Sequence, residues 1–261
     1  MGRQGEIDMT ILLLETLAAN AWPAAEGQAL AGWQLRFNHG VTRRANSVWP
    51  NLTSAELALD ARLSAVETFY AQRNLPPRFQ ISPAMQPPHL DEVLAERGYR
   101  SVAHTAVQVA ELTTILTAMP PLQKRPEFEI EVAEAFDEDW FTAYATFETM
   151  ENHEADARRA ILQAIQPLAG FVLLRIHGAP AAVGLGVVEQ DWLGIFCMAT
   201  STAFRRRGAA SAILRTLAIW AQLYEAHQAY LQVMDHNTSA QAVYARAGFE
   251  TLYHYHYREK I

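Results

Sequence analysis

A single cysteine, Cys197, among 261 residues excludes an internal disulfide and any metal site built on several thiolates. Its place inside the apolar run LGIFCMAT favours a buried, inert thiol over a nucleophile. Long apolar runs are missing too. Residues 11–14 are too few for the apolar region of a signal peptide, and no run reaches the length of a membrane span. The cytoplasm is therefore the expected compartment, with no membrane partner. Positive charge is in short supply: 21 Lys and Arg face 28 Asp and Glu, a net charge of −7. That balance argues against general nucleic-acid binding and is compatible with a cationic or amine substrate. The histidines show no HxxxH spacing and lack paired cysteines, so no metal is expected.

What is present is a well-packed chain, half apolar and about one fifth charged, long enough for one large or two ordinary domains. Its organising stretch is TSTAFRRRGAASAILRTLAIWAQLY, residues 200–224. The run LGIFCMAT before it reads as a buried strand. Ala210, Ile213, Leu214, Leu217, Ala221 and Tyr224 then recur at the spacing of one buried helix face. Between strand and helix stand Arg205, Arg206, Arg207, Gly208, Ala209 and Ala210. A helix start offers unpaired N–H groups and about half a positive charge, and small side chains let an anion approach them. The arginines add attraction for phosphate.

A second apolar strand, residues 230–234, is followed by NTSAQAVYARAGF. Asn237 and Tyr244 lie about two helical turns apart and can share one face. Gly248 suits a helix C-terminal cap, with Phe249 opening the next strand. The turn R-x-x-G-x-A resembles the coenzyme A pyrophosphate loop of the GNAT superfamily of acyl-CoA-dependent N-acyltransferases, and NTSAQAVYARAGF resembles that superfamily's following segment.

The resemblance covers residues 125–261. There the pattern reads as one strand, two helices (137–149 and 153–166), strands at 171–176 and 182–188 around His177 to Pro180, then the elements above and one last strand. It implies an α/β (α+β) fold with a mixed, mostly antiparallel central sheet flanked by helices. Many relatives have two strands after the Gly-Phe pair. Here only one is clear, so the chain is either short there or completed by its other domain.

In the first half, a short helix is expected at 11–21, a hairpin around His39-Gly40 within 32–49, and a helix at 55–72 capped by Thr53 or Ser54. A brief strand follows at 78–81. Then VLAERGYRSVAHTAVQV resembles VYARAGFETLYHYHY when shifted by about 150 residues, which we read as an internal repeat. The shift puts Leu94 at Tyr244, Pro87 at Asn237, and the acidic SAELALD at the glycine turn. Residues 1–120 are thus expected to form a partial, degenerate GNAT-like domain that does not bind coenzyme A, joined through the proline-rich 118–126 to a complete copy at 125–261. Arg43, Arg44 and Asn46 read as a solvated hairpin.

By resemblance, the chemistry is acetyl transfer from acetyl-CoA, as co-substrate, to a primary amine of a small molecule or peptide. Arg205 to Ala210 would hold the pyrophosphate, and Cys197, Met198 and Ala199 the pantetheine arm through their backbone. Tyr244 corresponds to the general acid. Asn237 would bond the pantetheine arm, cap the helix, or do both. The general base stays open. Where relatives that acetylate protein N-termini often carry a glutamate, this chain has Gln232. Glu189, at the end of the third strand, is the base selected; Glu148, Glu151 and His153 are substitutes. A non-catalytic acyl-CoA sensor and an aminoacyl or longer-acyl transferase remain as alternatives, and a homodimer is an admissible assembly.

Overall fold

The computed structural model describes residues 3–54, 56–122 and 125–260. The chain forms two compact units, one made of residues up to Ala106 with the stretch from Tyr253, the other of Val107–Leu252. Strands β5 (Arg100–Glu111) and β11 (Glu250–Glu259) each begin in one unit and end in the other. The units therefore divide elsewhere than at 118–126. That stretch, whose Gln123 and Lys124 lie outside the described residues, joins two elements of the second unit, α4 (Leu112–Ala118) and β6 (Phe128–Ala133).

In the first unit α1 spans Arg3–Asn20, earlier in the chain than the apolar pattern suggests. Strands β1 (Glu26–Leu30) and β2 (Trp33–Phe37) form an antiparallel hairpin through Ala31 and Gly32, at φ 44° and 83°. Two residues with positive φ match the twist of paired strands, so the tight hairpin lies here and not at His39-Gly40. Strand β2 then pairs with the short β3 (Val48–Trp49) across a loop ordered by Asn46. Its side chain, 1% exposed, accepts from Asn38 N (2.7 Å) and Gly40 N (3.0 Å) and donates to Val41 O (2.6 Å) and Thr42 O (2.8 Å). This residue is a buried organiser, not part of a solvated hairpin.

Helix α2 (Leu59–Ala71) follows Ala58 without a side-chain cap. Ser54 instead accepts from Glu56 N, and Ala55 lies outside the described residues. The buried face of α2, Leu63, Val66, Phe69 and Tyr70, packs with Trp33, Leu35 and Phe37 of β2. Strand β4 (Arg78–Ile81) runs parallel to β3 and antiparallel to the end of β11. Helix α3 (Leu90–Glu96) leads into β5. The last strand thus completes the first unit.

The second unit continues from β6 with α5 (Glu138–Phe147), α6 (Asn152–Gln163), β7 (Leu168–Ile176), β8 (Ala179–Glu189), β9 (Trp192–Thr200), α7 (Ala209–Gln222), β10 (Gln228–Met234) and α8 (Thr238–Arg246). This is the element order expected from the sequence. The sheet runs β10-β9-β8-β7-β6; β10 and β9 are parallel and the other pairs antiparallel. Asp137 caps α5 by accepting from Trp140 N at 2.7 Å. The Trp140 indole, fully buried, donates to Val172 O and Gly184 O and so ties α5 to β7 and β8. On the sheet's α7 side, a Cβ at Gly186 would meet Leu217 at 2.8 Å, so missing side chains let α7 approach closely. Tyr224 falls beyond the helix end, 37% exposed, and bonds Glu134.

The repeat is visible in the backbone. A shift of about 150 residues carries α2 onto α7, β4 onto β10, and the α3–β5 joint onto the α8–β11 joint. Both joints turn on a left-handed glycine, Gly98 at φ 83° and Gly248 at φ 87°. In each, the next residue donates back five positions at 3.0 Å, Tyr99 N to Leu94 O and Phe249 N to Tyr244 O. Among the described residues no helix is long and apolar enough to cross a membrane.

Asn46→Ala removes both acceptor and donor from the 38–47 loop and leaves buried backbone groups unpaired. It should lower unfolding stability by about 2–4 kcal/mol, read as a shifted urea midpoint.

Candidate active site

The second unit's sheet opens where the parallel ladder ends. Partners run from Gln228↔Trp192 to Leu231↔Ile195, and both strands continue beyond, to Met234 and Thr200. On its other edge β9 bulges. Leu185 faces Phe196 and Val183 faces Ala199, so Gly184 stands against both Cys197 and Met198. Cys197 takes the left-handed φ of 51°, which a bulge accommodates. A Cβ on Gly184 would collide with Ile213 and meet Met198 Sδ at 2.8 Å; the glycine fixes where Met198 sits.

Two cavities adjoin this opening. The larger, about 650 Å³, is bounded by Met198 and Ala199, by Arg205, Arg206, Gly208, Ala209 and Ala210 of the turn, and by Asn237 and Tyr244. The smaller, about 290 Å³, takes in Tyr144, Cys197, Met198, Gln232, His236, Asn237 and Tyr244. Glu148, Met198, Asn237, Ala240 and Tyr244 line both. The turn enters α7 through Gly208, whose φ of 85° few other residues adopt without strain. A Cβ there would meet the Arg125 guanidinium at 2.6 Å.

Most residues singled out in the sequence come together. Arg207 is the exception within the turn: it lines neither cavity, and its guanidinium lies 5.5 Å from the Phe204 ring centroid. Asn237 is the N-cap of α8, accepting from Ala240 N at 3.2 Å, so the capping role is realised. Tyr244 is 9% exposed. Burial pushes its phenol up to about 12, and among the described residues its hydroxyl has no hydrogen-bond partner.

Glu189 does not belong to the group. It pairs across from Trp192 at the opposite end of β9, on the order of 20 Å of strand from the bulge, and lines neither cavity. Glu151 and His153 are exposed and face each other at 3.7 Å. Of the carboxylates considered, Glu148 alone reaches the cavities. Among the described residues no cluster of His, Cys, Asp and Glu is arranged to hold a metal.

Tyr144 and Arg158 escaped the sequence reading. Arg158 donates to the Tyr144 hydroxyl (2.7 Å) and pairs with Glu154 (2.7 Å). Burial, and then the neighbouring Cys197, holds the Tyr144 phenol well above its ordinary range. The signal was ambiguous because Trp140 and Tyr144, four apart on α5, read as a core stripe.

Solved structures share this architecture. A GCN5-related N-acetyltransferase from Kribbella flavida matches over 100% of this chain and 96% of its own, with TM-score 0.69 and 18% identity. A tandem GNAT protein from the clavulanic acid biosynthesis pathway matches 82% of this chain and 74% of its own, with TM-score 0.61 and 11% identity. At such identities the likeness is one of fold, and the fold is that of tandem GNAT proteins. Sequence relatives carry it to activity. The uncharacterized N-acetyltransferase YobR of Bacillus subtilis (strain 168) is 30% identical over 95% of this chain and 97% of its own length. The probable histone acetyltransferase Rv0428c of Mycobacterium tuberculosis (strain ATCC 25618 / H37Rv) is 26% identical over 95% and 73%. The class is thus that of GNAT-type, acyl-CoA-dependent acetyltransferases. Within it, the chain belongs to the family described as "Probable histone acetyltransferase Rv0428c C-terminal", whose model matches residues 9–258.

Gly184→Ala forces a methyl group into Ile213 and Met198. It should cost about 1–3 kcal/mol of stability by overpacking, measured by denaturant unfolding.

Proposed function

We propose that the second unit transfers an acetyl group from acetyl-CoA to a primary amine of a small molecule or peptide by direct attack, with Tyr244 as general acid. The observation that carries this reading is the position of Tyr244. One protonated phenol lies on the boundary shared by a cavity entered past the arginine-rich turn and a smaller cavity at the bulged strand.

In this reading the amides at the start of α7, with Arg205 and Arg206, receive the pyrophosphate. Arg207 adds charge from outside the cavity. Backbone groups of Cys197, Met198 and Ala199, at the bulge and beyond the end of the parallel ladder, hold the pantetheine arm, and one N–H steadies the tetrahedral oxyanion. Asn237 can bond the same arm only while it also caps α8.

The amine nitrogen attacks the thioester carbon, the C–N bond forms, and the C–S bond breaks. A full proton transfer from a phenol near 12 to a thiolate near 8.5 is uphill by about 5 kcal/mol. Tyr244 therefore gives its proton to the departing sulfur only in concert with taking one from the nitrogen of the tetrahedral intermediate, so that the net transfer is from that nitrogen to the thiolate and the phenol ends as it began. Glu148, on both cavities, takes over the acceptor-side role that Glu189 cannot reach. The amine must be neutral to attack; with a pKa near 10.4, about one part in a thousand is so near neutrality, which is the reason a base is required.

The first unit lacks the binding turn. At the position equivalent to Gly208 stands Ala58, at φ −59°, followed by Leu59 and Asp60. We assign it no coenzyme A binding.

Tyr244→Phe should lower kcat by about 10²–10⁴-fold and change acetyl-CoA affinity by less than about threefold, measured by thiol release against an amine panel and by calorimetry. Unchanged turnover would remove Tyr244 from the chemistry. Ala210→Glu sets a carboxylate in the first turn of α7, where it suits the helix dipole but repels phosphate. Acetyl-CoA affinity should be lost with the melting temperature kept; intact binding would refute the turn assignment.

A further inference from the structure

The first unit holds a cavity of about 570 Å³ between α1 and the β1–β2 hairpin. Its making follows from the alternation of β2. Trp33, Leu35 and Phe37 join the core beneath α2, and Gln34 and Arg36 turn to the other face. There Ala19 of α1, Ala29 of β1 and the ring of Trp49 supply apolar walls. No residue of this lining borders the two cavities of the second unit.

Arg36 is the anomaly. Only 6% of it is exposed, yet among the described residues its side-chain hydrogen bonds leave from Nη2 alone, to the carbonyls of Trp22 and Ala19 (the latter at 3.4 Å). Among the described residues no carboxylate forms an ion pair with it. After the phenols of Tyr257 and Tyr70, the carboxylate that acts on it electrostatically is Glu15. That carboxyl is occupied by Tyr253 (2.7 Å), Gln80 (2.8 Å) and Trp49 (3.1 Å), and burial raises its pKa, which weakens it as a counter-ion. Arg44 acts on Arg36 with like charge. Burial lowers Arg36 to about 10, so it stays cationic near neutrality. A buried, uncompensated guanidinium costs several kcal/mol. Its planar fork is shaped for a carboxylate.

We propose that this cavity binds a small monocarboxylate with an apolar body, its carboxylate on the Nε and Nη1 side of Arg36 and its body between Trp49 and the alanines. Arg36 is the one charged residue of the described lining, which matches a single negative charge, and phosphate would bring about two into apolar walls.

The probes are phenylacetate and hexanoate, with phenylacetamide and hexanamide as uncharged counterparts, titrated into the full chain by calorimetry and followed by tryptophan fluorescence. Saturable binding of either acid but neither amide, weakened roughly tenfold or more in Arg36→Gln, is expected. Ala29→Trp fills the space from the exposed strand β1 and should abolish binding with an unchanged melting temperature. It decides the matter if Arg36→Gln does not fold. Absence of saturable binding by both acids, equal binding of the amides, or undiminished affinity in the foldable variants would overturn the proposal. Because the test reads binding and not turnover, its failure leaves the acetyl-transfer reading untouched.

Discussion

A sheet can admit a ligand only where it stops pairing with itself. Every backbone N–H and C=O released from a ladder must find another partner, so an opening in the middle of a sheet is costly unless something is meant to fill it. In the second unit that opening is made twice over, by the end of the parallel ladder at Leu231↔Ile195 and by the bulge at Cys197 and Met198. The surrounding elements keep it in place. Trp140 anchors α5 to β7 and β8, Gly184 and Gly186 let α7 press on the sheet, and Arg215 closes the end of α4 through Leu116 O and Met119 O.

The two halves of the chain share one construction and differ in one decisive turn. Identical left-handed glycine joints follow α3 and α8, and the helix-strand pairs α2–β4 and α7–β10 superpose in sequence. Where the second copy begins its helix with a glycine at φ 85° behind three arginines, the first begins behind Ala58 in extended backbone. Strands β5 and β11 each carry residues of both units. The first copy has kept the scaffold and acquired polar burial of its own, in Asn46, Glu15 and Arg36.

The helix start at Gly208, the cap at Asn237 and the left-handed joint at Gly248 were legible because each works within a few residues of itself. The β1–β2 hairpin was missed because β1, EGQAL, is exposed on an edge and lacks the alternation that marks a half-buried strand. Asn46 read as surface because an amide buried by four backbone partners looks, in sequence, like any loop asparagine. Glu189 was placed near the chemistry on the strength of its strand, and the antiparallel turn at Gln190-Asp191 carried it to the wrong end.

Local chemistry, then, was written in the chain itself: which segments turn, cap and coil, and that one turn enters its helix through a left-handed glycine behind three arginines, since these depend on neighbours within one or two helical turns. Tertiary structure alone decided which carboxylate lines the cavities beside Tyr244, that Tyr144, held by Arg158, lines the smaller one, and that the compact units divide after Ala106 and before Tyr253. Those depend on the register of strands far apart in sequence, and a register is fixed by packing across the whole sheet.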